Sequence, residues 1–313
     1  MTRLLITGAL GHIGSYYVHQ LRPQQYARIV LLDNLSTQRT ASLLHPPSGV
    51  RWEFVEADIC TADLLKIFHD IDVVIHLAAL TDAANSVERA AEVHTVNCDG
   101  TRRVAQACLA TGAKLFFPST TSVYGSQHDV VDETCPHEQL RPQSPYAESK
   151  LAAEQLLQTL ARDHGLQCCI ARLGTIHGPS IGMRFHTAVN KFIWQACWGL
   201  PLTVWRTAWE QHRPYLALED AARAIDCLIE KNCFDGTLYN IVTANHTVCD
   251  IVTAIQQHIP TLQIDMVDSP IMNQLSYHVL AKKIAARGFT PTGNLAQNIT
   301  ETIRWLRPEL VQT

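Results

Sequence analysis

No run of about eighteen apolar residues occurs anywhere in this chain of 313 residues, so no membrane-spanning helix is expected. No block of like charge stands out either. Lys and Arg number 25 against 29 Asp and Glu, for a formal net charge of −4. A nucleic-acid surface needs clustered Lys/Arg, and none is visible. The ten cysteines are scattered, with no CxxC pair at metal-site spacing, so free thiols in a reducing compartment are expected rather than a disulfide or zinc framework. The fifteen histidines form no HxxxH motif and no carboxylate clusters with them, so no metal site is expected. At the start, Met1-Thr2-Arg3-Leu4-Leu5-Ile6 enters a strand at once. It lacks the apolar stretch and small-residue cleavage site of a signal peptide, and a cytoplasmic protein is expected. There is no internal repeat and no low-complexity tract.

What is present fits a globular chain with a sizeable core: 47% hydrophobic and 17% charged residues. Short, continuously apolar runs at Arg3–Thr7, Ile29–Leu32, Trp52–Ala57, Val73–Leu77, Leu115–Phe117 and Gln167–Leu173 read as strands buried on both faces. Helical stretches lie between them at His12–Leu21, Ala62–His69, Ser86–Thr111 and Tyr146–His164, with Gly112 and Gly165 at the C-cap positions. Such alternation means an α/β fold with a doubly wound parallel sheet. After Gly178-Pro179 the pattern loosens. Helices are expected at Phe185–Trp198, Ala221–Glu230, Val248–His258 and Leu295–Leu306, and strands at Leu202–Val204 and Pro214–Leu216. Residues 1–178 are therefore expected to form a Rossmann-like, NAD-binding domain to which some later segments return. Residues 179–313 are expected to form mainly a small α+β substrate lobe.

Thr7-Gly8-Ala9-Leu10-Gly11-His12-Ile13-Gly14 follows a strand and opens a helix. In such a turn Gly8 permits the tight bend, Gly11 lets backbone approach a pyrophosphate, and Gly14 lets the helix pack closely. The anion then sits at the positive end of a helix. Asp33 ends the second strand. A carboxylate there accepts from adenosine ribose hydroxyls and repels a 2′-phosphate, which favours NAD over NADP; a solvated strand-end aspartate is the alternative, and Arg39 lies nearby in sequence.

Tyr146 and Lys150 stand four apart on an expected helix, so they share a face. An ammonium near a phenol favours the phenolate, and such a tyrosine can exchange a proton with an alcohol. On most helices the same pair is only surface.

Its company changes the reading. Along the chain come Leu32-Asp33-Asn34-Leu35, Ala57-Asp58-Ile59, His76-Leu77-Ala78-Ala79, Asn97 before Gly100-Thr101, Val123-Tyr124-Gly125, Ser144-Pro145-Tyr146 with Lys150, Arg172-Leu173-Gly174, Gly178-Pro179 and Arg213-Pro214-Tyr215. Together with the glycine turn, this set resembles the extended short-chain dehydrogenase/reductase family, most of all its UDP-glucose 4-epimerase-type members. The resemblance covers nearly the whole chain. It is specific in the first 180 residues and faint beyond about 220.

The resemblance implies NAD as cofactor. Gly8, Gly11, His12, Ile13, Gly14, Asp33 and Asn34 would hold it. Asp58 and Ile59 would flank the adenine, and Leu77, Ala78 and Ala79 would pass beneath it. Asn97, Tyr146 and Lys150 complete the set. Asp58 as a helix cap and Asn97 as a partner for buried backbone are the plainer readings. Thr120 would join Tyr146 and Lys150 as the catalytic hydroxyl. Members that dehydrate carry an Asp-Glu pair just before Val-Tyr-Gly, and decarboxylating members usually keep the glutamate. Here Thr121 and Ser122 stand there, and neither is acidic enough to replace a carboxyl group. Epimerisation or simple alcohol redox is left, with a non-catalytic dinucleotide sensor as a third reading.

The implied substrate is a nucleoside-diphosphate sugar. Thr81, Thr121, Ser122, Thr175, Arg184, Asn190, Lys191 and Arg213 are its candidate contacts. Two family features are missing. Thr175 replaces an asparagine, and Met272-Asn273-Gln274-Leu275-Ser276-Tyr277 lacks the arginine expected to clamp a diphosphate. Trp194, Trp198, Trp205 and Trp209 are read as core or interface, with nucleobase stacking as the alternative. The two long helices at Ser86 and Tyr146 resemble those of a four-helix homodimer interface.

Overall fold

The structure, a computed structural model, describes residues 1–83, 86–125, 130–268 and 276–311. In the first half, β1 (Thr2–Thr7), α1 (His12–Gln20), β2 (Tyr26–Asp33), β3 (Arg51–Glu56), α2 (Leu64–Ile67), β4 (Val73–His76), α3 (Ala90–His94), α4 (Thr101–Thr111), β5 (Lys114–Thr120), β6 (Val130–Val131), α5 (Pro145–His164) and β7 (Cys168–Leu173) follow one another. Then come β8 (Thr175–His177), α6 (Ala188–Cys197), β9 (Leu202–Trp205), β10 (Arg213–Ala217), α7 (Leu218–Glu230), β11 (Asp235–Ile241), β12 (Ala244–His246), α8 (Val248–Gln256), β13 (Ile264–Val267), β14 (His278–Val279), α9 (Lys282–Ala286) and α10 (Leu295–Leu306).

Seven strands form one sheet in the order β11-β7-β5-β4-β1-β2-β3, and every pairing in it is parallel. Parallel strands need crossovers that cover both faces, which is why β4 and β7 are buried at every position. On one face α1 and α7 pack Tyr17, Val18, Ala221, Ile225 and Leu228 against the strands. On the other, α4 and α5 pack Val104, Cys108, Ala153 and Leu157. Each fully buried Leu or Ile contributes roughly 1.5–3 kcal/mol. Strand order reverses between β1 and β4, and at that switch point the carboxyl ends of the strands open a crevice. The later segments gather a second core of Phe192, Ile193, Ile251, Ile299 and Ile303 from α6, α8 and α10. Small sheets join β8, β10 and β12, β9 with β13, and β6 with β14.

Three departures from the sequence expectation have clear physical causes. The single helix expected over Ser86–Thr111 is broken: it becomes α3, a π-wound turn at Thr95–Gly100, and α4. The turn is wound around Asn97, and Gly100 leaves room for Ile59, whose Cδ1 would lie 2.8 Å from an added Cβ. The helix expected over Ala62–His69 shrinks to α2, which is capped by Asp63 accepting from the Lys66 amide. Finally, β11 was not anticipated, yet it is an edge strand of the main sheet beside β7. Its register shifts between Asp235 and Leu238, and a fully buried asparagine, Asn240, interrupts its apolar run.

Candidate active site

A cavity of about 750 Å³ opens over the switch point, and most of the expected site residues line it. The turn after β1 forms its floor. Gly8 has φ +64°, and a Cβ there would lie 2.5 Å from the Ala78 nitrogen, so only glycine lets this turn rest on the chain leaving β4. A Cβ at Gly14 would meet the Ala9 carbonyl oxygen at 2.5 Å. The constraint on Gly14 is thus closeness to the turn itself. No side chain caps the N-terminus of α1, so its first amides and the positive end of its dipole point at the cavity. His12 lines the cavity too and its Nε2 lies 2.9 Å from the Gly178 carbonyl oxygen. Burial pushes its imidazole down to about 3, against the pull of that carbonyl, so it is neutral.

Asp33, at the end of β2, accepts from the Leu10 amide at 3.1 Å and the Leu35 amide at 3.0 Å. A carboxylate has about four lone-pair sites, so capacity is left for a ligand. Asp58 accepts from Asn34 at 3.0 Å and from the Cys60 amide at 2.7 Å. Burial alone would raise its carboxyl, but these bonds hold it below the usual value. Ile59, Leu77, Ala78 and Ala79 line the wall between. An uncapped helix start, a glycine turn against bare backbone and an acid at the end of β2 are the features a dinucleotide needs, and the residues present fit one.

Asn97 takes the plainer of its two readings. Its Oδ1 accepts from the Leu80 amide at 2.9 Å, and its Nδ2 donates to the Leu80 carbonyl at 2.9 Å and to Ser149 at 3.0 Å. It does not line the cavity; it holds the segment that does. Asn190 is likewise withdrawn. It is fully buried and bonds the Arg184 carbonyl at 3.2 Å.

Thr120 ends β5, and Tyr146 and Lys150 follow on α5, whose start is set by Ser144 accepting from the Ala147 amide with Pro145 behind it. All three line the cavity. Burial raises the Tyr146 phenol. The Arg184 charge opposes that most, and a hydrogen bond with Thr120 opposes it next. Lys150 is not among the groups that shift the phenol. Its Nζ donates to the Pro118 carbonyl at 3.0 Å and sits 4.7 Å from the Phe117 ring centre. Burial pushes the Lys150 ammonium down to about 8, with Cys98 and Glu154 holding it up.

One turn further along α5, Glu154 forms a buried ion pair with Arg172 at 2.7 Å and accepts from Ser119. This ties α5 to the residue before Thr120. Sequence reading missed Ser119, Glu154 and Tyr277. The i, i+4 spacing of Lys150 and Glu154 was a usable signal for the second.

Among the expected substrate contacts, Thr81, Thr121, Ser122, Thr175, Arg184, Lys191 and Arg213 line the cavity. Thr121 donates its hydroxyl to the Leu173 carbonyl at 3.2 Å, whereas Ser122 is exposed. Arg213 stacks over the Tyr277 ring at 5.1 Å, and Tyr277 also lines the cavity. Positions 272–275 lie outside the described residues. Trp205 lines the cavity, Trp209 packs on the core of the second half, and Trp194 and Trp198 are exposed. Among the described residues no three His, Cys, Asp or Glu are placed to hold a metal, and no helix is long and apolar enough to cross a membrane.

A family model described as the NAD dependent epimerase/dehydratase family matches residues 4–241. Among curated proteins, a trifunctional UDP-glucose 4,6-dehydratase/UDP-4-keto-6-deoxy-D-glucose 3,5-epimerase/UDP-4-keto-L-rhamnose-reductase of Arabidopsis thaliana is 31% identical over 316 residues, covering 96% of this chain and 47% of that protein. The chain spans about half the length of the first curated relatives it matches. A Bacillus subtilis protein described as an uncharacterized UDP-glucose epimerase is 28% identical over 266 residues, 81% of each chain. Two solved structures superpose with TM-scores of 0.89. The dTDP-glucose 4,6-dehydratase DesIV of Streptomyces venezuelae, with NAD and TYD bound, is 25% identical and covers 98% of this chain and 97% of its own. The UDP-glucuronic acid 4-epimerase of Bacillus cereus, in complex with UDP-glucuronic acid and NAD, is 26% identical and covers 98% and 100%.

Proposed function

The chain belongs to the NAD dependent epimerase/dehydratase family, and from that premise we propose that it is an NAD-dependent 4-epimerase of a nucleoside-diphosphate sugar. The observation that carries the choice within the family is the hydroxyl pair at Thr121 and Ser122, in the cavity that Thr120 and Tyr146 also line. Elimination of water across C4–C6 needs an acid for the leaving hydroxyl and a base for the C5 proton. Thr121 is turned to the Leu173 carbonyl, and no carboxyl group stands at either position.

NAD is the cofactor in this reading. The amides at the start of α1 hold its pyrophosphate, Asp33 its adenosine ribose, and Asp58 and Ile59 its adenine. The nicotinamide supplies one thing, reversible acceptance of hydride from the sugar C4. Everything else is done by side chains. Tyr146 would take the proton of the 4-hydroxyl as C4 gives up its hydride, which leaves a 4-keto sugar; the sugar turns over in the cavity, and Tyr146 returns the proton to the 4-oxygen as hydride re-enters C4 from the ring's other face. Thr120 holds the reacting oxygen and the phenol together. Lys150, whose Nζ donates to the Pro118 carbonyl at 3.0 Å, would bond the nicotinamide ribose and, while protonated, keep positive charge under the site. Arg213 and Lys191 supply cations for the diphosphate.

The test is direct. The protein, purified without added NAD, is incubated with UDP-, dTDP-, GDP- and CDP-hexoses, and products are read by NMR. A 4-epimer formed without added cofactor is the expected result. Stoichiometric conversion of added NADH, or a 4-keto-6-deoxy sugar, overturns it.

A further inference from the structure

The segment after β8 is fastened to the start of α1 by a buried chain of hydrogen bonds. The Gly182 amide donates to the Ser15 hydroxyl at 2.9 Å, Ser15 donates to Ser180 at 3.2 Å, and Ser180 donates to the His12 carbonyl at 3.1 Å. An amide can only donate and a carbonyl can only accept, so the chain runs in that one direction, and each bond in it strengthens the next. Both serines are almost fully buried, Ser15 at 1% and Ser180 at 5% exposure. A Cβ at Gly182 would lie 2.6 Å from the Gly11 carbonyl oxygen and 2.7 Å from the Ser15 Oγ. Only glycine therefore lets this segment lie directly on the glycine turn. At its other side the segment is joined to α6. Asn190 accepts from the Gly178 amide at 3.4 Å and donates to the Arg184 carbonyl at 3.2 Å, so positions 178–184 and the helix hold together. Thr187, Lys191 and Phe192 at the start of α6 line the cavity, and so do Gly11, His12 and Ile13 of the turn. Ser15, Ser180 and Gly182 are not among the lining residues. Whatever they do for a ligand, they do through the groups they hold.

We infer that Ser15 is a positioning residue which, through Ser180 and the Gly182 amide, fastens the substrate-side wall to the cofactor turn, so that release of the dinucleotide and opening of that wall are one event. The inference rests on the nucleotide-sugar reading above and deepens it. A nucleotide lodged against the start of α6 holds the wall, the wall holds the turn through the serine chain, and the turn holds the pyrophosphate. A ligand in one site then biases the other through a shared element with a fastened and an open arrangement, which is what coupling between two sites requires. With the serine chain broken, the two sites let go of their ligands separately.

Exchange of bound NAD for radiolabelled NAD, followed by filtration of the NAD-loaded protein with and without saturating UDP, tests this. In the wild type UDP should slow the exchange about 10-fold, within the roughly 5–150-fold range of coupling between sites. In Ser15→Ala the Gly182 amide loses its acceptor. Exchange without UDP should then quicken about 10-fold, and the effect of UDP should shrink to within about twofold. Ser180→Ala is milder, because Ser15 still accepts from Gly182 and can donate to the His12 carbonyl 3.3 Å away, so it should keep most of the UDP effect. A residue that merely stabilises the fold would quicken exchange when replaced and leave the UDP ratio as in the wild type; that result for Ser15→Ala overturns the inference. Wild-type exchange that UDP leaves unaltered, while calorimetry shows UDP bound to the NAD-loaded protein, also overturns it, whether or not the variants fold, and sinks this inference alone. Failure of UDP to bind at all sinks the nucleotide-sugar reading and this inference with it.

Discussion

The Arg184 charge bears on the Tyr146 phenol, opposing more than any other group the burial that raises it. Arg184 reaches in from the segment between β8 and α6 to bond Thr81, while Lys150 points at the Pro118 carbonyl. The half of the chain after Leu173 therefore takes part in setting the charge around Tyr146, and the Tyr–Lys helix pair is only part of that setting.

Replacing the phenol separates binding from chemistry. Tyr146→Phe keeps the ring and removes the proton acceptor. Turnover is expected to fall by about 10²–10⁴-fold, the range for general acid–base groups, with bound NAD per protein unchanged in the absorbance of denatured samples. Thr120→Val should lower turnover less, and Thr120→Ser should restore most of it. Undiminished turnover in Tyr146→Phe removes that residue from the mechanism.

The pH profile should carry the mark of Lys150. Its ammonium is present below about 8 and lost above it, so turnover is expected to fall as pH rises through 8. Lys150→Arg, whose charge persists, should move that limb to higher pH. Stability runs the other way. The folded value lies below the ordinary lysine value of 10.5, so the unfolded chain binds more protons between 8 and 10.5, and Lys150's contribution to stability rises with pH in that window. A turnover limb at 8 that Lys150→Arg leaves in place contradicts the assignment.

Asp33 should set the choice of dinucleotide. Asp33→Asn keeps the shape and one acceptor for the Leu10 and Leu35 amides but removes the charge that repels a 2′-phosphate. The preference for NAD over NADP is expected to narrow by about 10–100-fold, as the loss of charged hydrogen bonds worth roughly 1.5–3 kcal/mol implies. Titration with both dinucleotides checks it, and an unaltered affinity ratio counts against the role.

The Glu154–Arg172 pair is almost fully buried, 2% and 6% exposed. Glu154→Ala strands the guanidinium and should destabilise the fold by about 3–5 kcal/mol, while Glu154→Leu combined with Arg172→Met should recover much of that. Urea unfolding of the three proteins decides it. A loss below about 1 kcal/mol in the single variant shows that water already reaches the pair.

The strands legible in the sequence were those buried on both faces, because continuous apolar runs at β1, β2, β4, β5 and β7 have no other physical reading when helices separate them. The glycine turn was legible because Gly8 and Gly14 are fixed by contact with backbone. Less legible was whatever depends on one polar residue meeting a distant one. Strand β11 hides behind Asn240, which is tolerable only because the Tyr124 hydroxyl donates to it at 2.9 Å and it donates in turn to the Leu280 carbonyl at 2.9 Å. The break before α4 depends on Asn97 finding Leu80 seventeen residues back. Tyr277 enters the cavity through a segment whose expected feature was an arginine. Spacing along the chain carries no trace of such meetings.

The most direct test is isotopic. The purified protein, with no NAD added, is given its nucleotide sugar in D₂O, and the product is examined by NMR. If Tyr146 exchanges only the hydroxyl proton and the C4 hydrogen is lent and returned, the 4-epimer should appear with no deuterium on any ring carbon. Deuterium at C5, which proton removal from that carbon introduces, or a deoxygenated C6, would contradict the account.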